Sequence, residues 1–113
     1  MKKIEAFVRP EKLGEVRRSL AVLGHRAMIN YDIWYRGTEN EIDHQPGSGA
    51  SRVYDFMPKV RVELVVKDEE AGSVTDAICD AACTDRTGDG KIFVMPVETA
   101  VRIQTRERGD TVV

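Results

Sequence analysis

A run of five residues, Thr87-Gly88-Asp89-Gly90-Lys91, carries the elements of an anion-holding loop. Two glycines around an aspartate let a tight turn aim its backbone N–H groups at an anion, and the lysine at its exit adds a cation at contact range. The same Gly-Asp-Gly string also builds an ordinary helix-to-strand turn, so the loop alone does not decide the matter. Further along stand Arg102, Gln104, Arg106 and Arg108. Arg102 and Gln104 have the alternate spacing that puts side chains on one face of an extended segment. Loop and arginines together point to a ligand bearing phosphate.

Other chemistry-bearing clusters are thinner. Cys79 and Cys83, four apart on a helix-like stretch, share a face, but only His25 and His44 could join them as ligands and neither has a zinc-site spacing. The pair reads as two reduced thiols, with a redox role open for Cys83 beside the loop. Glu39, Glu41, Asp43 and His44 crowd one polar stretch without the preorganisation a metal site needs. An enzyme could use Asp89 or Glu63 as a base and the basic cluster as an oxyanion clamp, yet no nucleophile and base stand at a suitable spacing.

The elements that must position these residues follow from periodicity. Ile4, Ala6 and Val8 alternate along a first strand, Lys2 to Arg9; Pro10 breaks it, and Leu13, Val16, Leu20 and Leu23 recur at helical spacing before Gly24 closes the helix. Ala27 to Arg36 is rich in β-branched and aromatic residues, a second strand. Residues 37 to 52 hold few apolar side chains and several breakers, a long loop of the kind that is usually functional or disordered. Val60, Val62, Leu64 and Val66 alternate along a third strand after Pro58. Asp68-Glu69-Glu70 then opens a helix with Ala71, Val74, Ile78 and Ala81 on one stripe, ending near Cys83, and a fourth strand runs from Lys91 to Met95. The order is βαββαβ, an α+β ferredoxin-like arrangement. Both helices on one sheet face leave the other uncovered, and that predicts self-association.

Length and charge bound the partners. A chain of 113 residues with 42% hydrophobic residues builds one domain, residues 1–113. Net charge is -2, from 17 basic against 19 acidic residues, so bulk electrostatics give no case for nucleic acid or a membrane surface. RNA binding by the sheet would need paired aromatics, and Phe7, Trp34, Tyr35 and Phe93 do not form that motif. No stretch reaches the length of a membrane span and no signal-peptide core follows Met1-Lys2-Lys3, which leads us to expect a cytoplasmic protein.

Nearly the whole chain resembles the PII signal-transduction family. The opening Met1 to Leu13, the segment Asp55-Phe56-Met57-Pro58-Lys59-Val60, the run Gly88 to Val94 followed by Pro96-Val97-Glu98, and Val101-Arg102-Ile103 with Glu107-Arg108-Gly109 each resemble family motifs, in order. The resemblance implies a trimer of ferredoxin-like subunits with adenine nucleotides in the clefts between neighbours. It also implies a T-loop, about residues 37–53, that docks on a transporter or enzyme, and a C-terminal tail of about 97–113. Carried onto matching positions, phosphate contacts fall to Gly88, Gly90, Lys91 and Arg102, with Asp89 and Gln104 also counted to the nucleotide site and Gly37 at the T-loop root. Phe7, Ile29, Glu63 and Val65 line the adenine pocket, where Glu63 can accept the exocyclic amine. Arg36, Glu39 and Lys59 fall at the effector site.

Departures from the family pattern are specific. Glu39 stands where a magnesium-ligating glutamine is common, which disfavours a dicarboxylate such as 2-oxoglutarate, while Lys59, its carboxylate partner, is kept. Gln104 replaces a second arginine, weakening a triphosphate more than a diphosphate or monophosphate, though Arg106 or Arg36 could compensate. Asp85 follows Thr84 where glycine is common, and Arg52 falls at the position of the uridylylated tyrosine, with Tyr54 two residues on. Glu39 and Gln104 tilt the resemblance toward a non-enzymatic, divergent regulator answering to ADP or AMP with a small anion; some PII-like proteins are linked to inorganic carbon, which makes bicarbonate the candidate anion near Lys59. The alternatives are a standard nitrogen regulator answering to ATP, magnesium and 2-oxoglutarate, or a small enzyme with weak ATPase activity.

Overall fold

The computed structural model describes residues 1–36 and 56–113, together with the backbone of Ile42–Asp43 and Arg52–Val53. Among the described residues there are six strands and two α-helices: β1 (Lys2–Val8), α1 (Leu13–Val22), β2 (Ile29–Tyr35), β3 (Ile42–Asp43), β4 (Arg52–Val53), β5 (Met57–Val66), α2 (Ala71–Ala82) and β6 (Lys91–Pro96). The four long strands form one antiparallel sheet in the order β2-β5-β1-β6, which is the ferredoxin-like topology. The short strands β3 and β4 pair with each other, so the stretch read as a long loop contains a minimal ladder of its own. The rest of the expected T-loop, Gly37 and Glu39 included, lies outside the described residues.

Alternation along β1 and β5 decides which way the sheet faces. Ile4, Ala6 and Val8 are buried on the same side as Val60, Val62, Leu64 and Val66, and the register sets Ile4 opposite Leu64 and Val8 opposite Val60. Against that face lie Val16 and Leu20 of α1 and Val74, Ile78, Ala81 and Ala82 of α2, which complete the core. A single 3-10 turn leads into each helix, Pro10–Lys12 before α1 and Asp68–Glu70 before α2; α2 spans its whole apolar stripe, and α1 ends one residue short of Leu23. At the second, the Glu70 carboxylate accepts the Lys67 backbone N–H at 3.2 Å, one half of a capping box.

The opposite sheet face carries no helix. Ile29, Tyr31, Val65 and Phe93 are exposed on it, as the uncovered-face argument expects, but its middle is charged. Lys3 pairs with Glu63 and, at 3.6 Å, with Glu5; Arg61 approaches Glu63 at 3.9 Å and stacks over Tyr31 at 4.4 Å. Among the described residues, no helix is long and apolar enough to cross a membrane.

Candidate functional site

The glycine loop is held from several sides. Gly88 and Gly90 take φ of +96° and +106°, the left-handed region that favours glycine. Gly90 has a second reason: a Cβ there would sit 1.7 Å from the Phe7 carbonyl oxygen, inside the backbone of β1. Lys59, buried on β5, donates to the Gly88 carbonyl. Asp89, expected at the nucleotide site, turns its carboxylate into the loop. Its Oδ2 accepts the Thr84 N–H at 2.7 Å, and its Oδ1 accepts the Thr84 hydroxyl and the Arg9 Nε–H, the latter at 3.1 Å. Arg9 also donates to the Thr87 carbonyl at 2.7 Å. Burial alone would push the Asp89 carboxyl up, but the Thr84 donors and the Arg9 guanidinium outweigh it and hold it well below the usual carboxylate range. Asp89 is therefore a fixed anion that organises the turn. Lys91, exposed at the start of β6, makes no ion pair among the described residues.

Arg9 and Thr84 were not singled out from sequence. Arg9 meets Asp89 across 80 positions, a separation that local pattern does not register. The signal available was a charged residue closing a strand just before a proline.

The expected nucleotide residues divide between two cavities. Phe7, Asp89, Gly90 and Lys91 line one of about 430 Å³ beside the end of α2, with Cys79 and Cys83 on its rim. Ile29, Glu63 and Val65 line another, of about 700 Å³, with Lys3, His25, Arg26, Met28 and the C-terminal Val112 and Val113. Phe7 thus lies apart from the other three residues assigned to the adenine pocket; its ring packs on Tyr35 at 5.7 Å and edge-on to Phe93 at 6.0 Å. In the larger cleft Ile29 is 56% exposed and Val65 36%, an apolar wall open to solvent. Hydrogen bonding from Lys3, against the opposing effect of burial, and the charges of Lys3 and Arg61 hold Glu63 below its ordinary value. Glu63 is thus an ionised acceptor whose nearest cation, Lys3, sequence reading passed over.

Arg102 stands in neither cavity's lining. Its guanidinium meets the Glu107 carboxylate and the Thr111 carbonyl, each at 3.4 Å. Gln104 is exposed in the turn beyond it, and Arg36 is exposed just past β2. Cys79 and Cys83 are free thiols, and among the described residues no group of three or more His, Cys, Asp or Glu is placed to hold a metal ion. The Asp85 backbone N–H favours the Cys83 thiolate, but the Asp85 carboxylate, which accepts the thiol at 3.3 Å, together with burial and the Asp89 charge, pushes the thiol up.

Residues 1–107 match the family described as nitrogen regulatory protein P-II. Proteins of that name are similar to this chain from end to end. The one from Cereibacter sphaeroides is 41% identical over 100% of both chains, that from Rhizobium meliloti (strain 1021) 46% over 96% of both, and that from Pasteurella multocida (strain Pm70) 42% over 97% of both. The chain belongs to the P-II family. Asp85 stands where the family resemblance leads us to expect a glycine, and its backbone gives that expectation a physical meaning. Asp85 has φ +59°, a left-handed conformation that glycine takes without strain and that aspartate tolerates better than most residues.

Proposed function

We propose that this P-II protein is a non-enzymatic sensor of adenine nucleotides that works as a homotrimer. The Gly88–Lys91 loop of one copy and the Ile29–Glu63–Val65 cleft of the next enclose the ligand. The observation that supports this most directly is the division of the candidate residues between two cavities of complementary character. One end offers the N–H groups of a glycine turn and the unpaired Lys91, suited to phosphates; the other offers an apolar wall and an ionised acceptor, suited to an adenine base. Bringing the two together requires a second copy, and the uncovered sheet face with Ile29, Tyr31, Val65 and Phe93 is the surface available for it. Residues 37–53 then carry the signal to a protein partner, a transporter or a metabolic enzyme, in the cytoplasm. A ligand spanning the cleft and the root of that loop favours one loop conformation by its differential affinity. Asp89, already committed to Arg9 and Thr84, is poorly placed to act as a general base, which favours binding over turnover.

Gln104 in place of a second arginine favours ADP or AMP over ATP, and Glu39 favours a small anion such as bicarbonate over 2-oxoglutarate. Lys59 supports the second reading, a standard regulator of ATP, magnesium and 2-oxoglutarate, because the lysine that the family resemblance pairs with the 2-oxoglutarate carboxylate is kept, though such a pairing must compete with its bond to the Gly88 carbonyl. Sedimentation and calorimetric titration with ATP, ADP and AMP, each with and without magnesium, 2-oxoglutarate or bicarbonate, decide between them. The first reading expects a trimer that binds ADP or AMP more tightly than ATP. Tight ATP binding strengthened by magnesium and 2-oxoglutarate selects the second, and a monomer indifferent to every nucleotide ends both.

A further inference from the structure

Two thiols stand together at the smaller cavity, and the proposed nucleotide site makes no use of them. Cys79 and Cys83 are both free and exposed, and both line the cavity of about 430 Å³ between the end of α2 and the start of β6. Their spacing is fixed by the backbone. Cys79 lies in the last turn of α2, and the Cys83 N–H donates to the Cys79 carbonyl at 2.9 Å, so the two residues are one closed helical turn apart. Residues four apart on a helix share a face, with Cβ atoms about 5–6 Å from each other. The Asp85 carboxylate accepts the Cys83 thiol at 3.3 Å, which keeps the second sulfur at the helix end.

That separation decides what the pair can do. A disulfide needs Cβ atoms about 3.8 Å apart, so joining these two sulfurs would distort the last turn of α2. A thiophilic ion between them asks for less. With metal–sulfur bonds of about 2.3 Å on either side, sulfurs about 4–4.5 Å apart hold one ion, and side chains rising from one helical turn reach that distance by rotation about χ1. Zinc would need three or four protein ligands, and among the described residues no group of three His, Cys, Asp or Glu is placed to hold it. The remaining walls are largely apolar, with Phe7, Val8, Ile78, Ala82 and Ile92. Two thiolates in such surroundings suit a soft ion of low coordination number.

We propose that Cys79 and Cys83 form a two-thiolate site for copper(I), with ligands separate from the residues assigned to the nucleotide. Copper(I) and the two thiols give a two-coordinate bis-thiolate complex of charge -1 and release two protons. Lys91 lines the same cavity, makes no ion pair among the described residues, and supplies the compensating charge. Asp89 is already offset by Arg9, and Asp85, which gives up its thiol donor, is exposed and turns to water. The site does not depend on the adenylate reading.

Anaerobic titration of the reduced, full-length chain with copper(I), in competition with the chromogenic chelator bathocuproine disulfonate, tests the site. One copper(I) binds per chain, with a thiolate-to-copper charge-transfer band in the ultraviolet. Cys79→Ser and Cys83→Ser each lower the affinity at least about a hundredfold, because a single thiolate loses the advantage of the second, tethered one. Either variant binding copper(I) as tightly as the unaltered chain overturns the proposal. So does zinc(II) displacing copper(I) at equal concentration, since that would require ligands beyond the pair. If a variant folds poorly, iodoacetamide labelling of the unaltered chain decides: copper(I) protects both cysteines together, and protection of only one, or of neither, overturns the site.

Discussion

The two cavities are built to opposite standards of rigidity. Around the glycine loop, Asp89 has three donors, Gly88 is tied by a buried lysine, and Gly90 lies against the backbone of β1 so closely that no side chain fits. At the larger cleft, Ile29 and Val65 stand open and one wall is a terminal turn held by a half-exposed arginine. A preformed anion loop costs little ordering when it binds, whereas the cleft can change shape with its occupant. In the proposed reading, the contrast separates a rigid end suited to phosphates from an adaptable end suited to the base.

Substitutions at the loop should therefore be severe and those at the cleft mild. Gly90→Ala gives the largest effect, a loss of at least about 3 kcal/mol in urea denaturation at fixed protein concentration, since a Cβ collides with backbone and the left-handed φ adds strain. A variant near wild-type stability would mean the loop is not pinned on β1. Asp89→Asn comes next, at about 1.5–3 kcal/mol near neutral pH for weakened charge-assisted hydrogen bonds. Because the carboxyl of Asp89 is held below its unfolded value, protonation favours the unfolded chain. Its stabilisation is complete above about pH 4 and is lost as the pH falls further, so the denaturation midpoint of Asp89→Asn should vary less over that acid range. Equal slopes for the two proteins would remove the carboxylate from its assigned role.

A gain is expected at the neighbouring position. Asp85→Gly relieves a left-handed aspartate and should stabilise the protein by about 0.5–1 kcal/mol. It also removes the carboxylate that keeps the Cys83 thiol protonated, so thiol reagents should modify that cysteine faster near pH 8. The smallest change is at the cleft: Arg102→Gln should leave global stability within about 0.5 kcal/mol while it loosens the terminal turn. A loss as large as that of Asp89→Asn would erase the distinction between the two regions.

Much of the scaffold was legible because it rests on local periodicity. Val60, Val62, Leu64 and Val66 announced the buried face of β5, Val74 and Ile78 the stripe of α2, and the alternation of Ile4, Ala6 and Val8 the first strand. Contacts that depend on register across the sheet left no local trace. Lys3 meets Glu63 only because β1 lies beside β5 with Lys3 opposite Val65 and Glu5 opposite Glu63, and Arg9 reaches Asp89 only because β6 lies on the other side. The family resemblance proposes which positions face a ligand but not how one chain groups them: it sets Phe7 with Ile29, and in one chain the two line different cavities. Nor could periodicity foresee Val112 and Val113 returning to Val65, since a terminal turn has no repeating pattern to read.

Strand β5 takes part in both regions: Lys59 near its start reaches the glycine loop, and Glu63 and Val65 near its end line the larger cleft. The span between Lys59 and Val65 is about 20 Å of paired, nearly inextensible backbone. In a ring built as proposed, that strand is a stiff rod with one tip in each of two adjacent ligand sites.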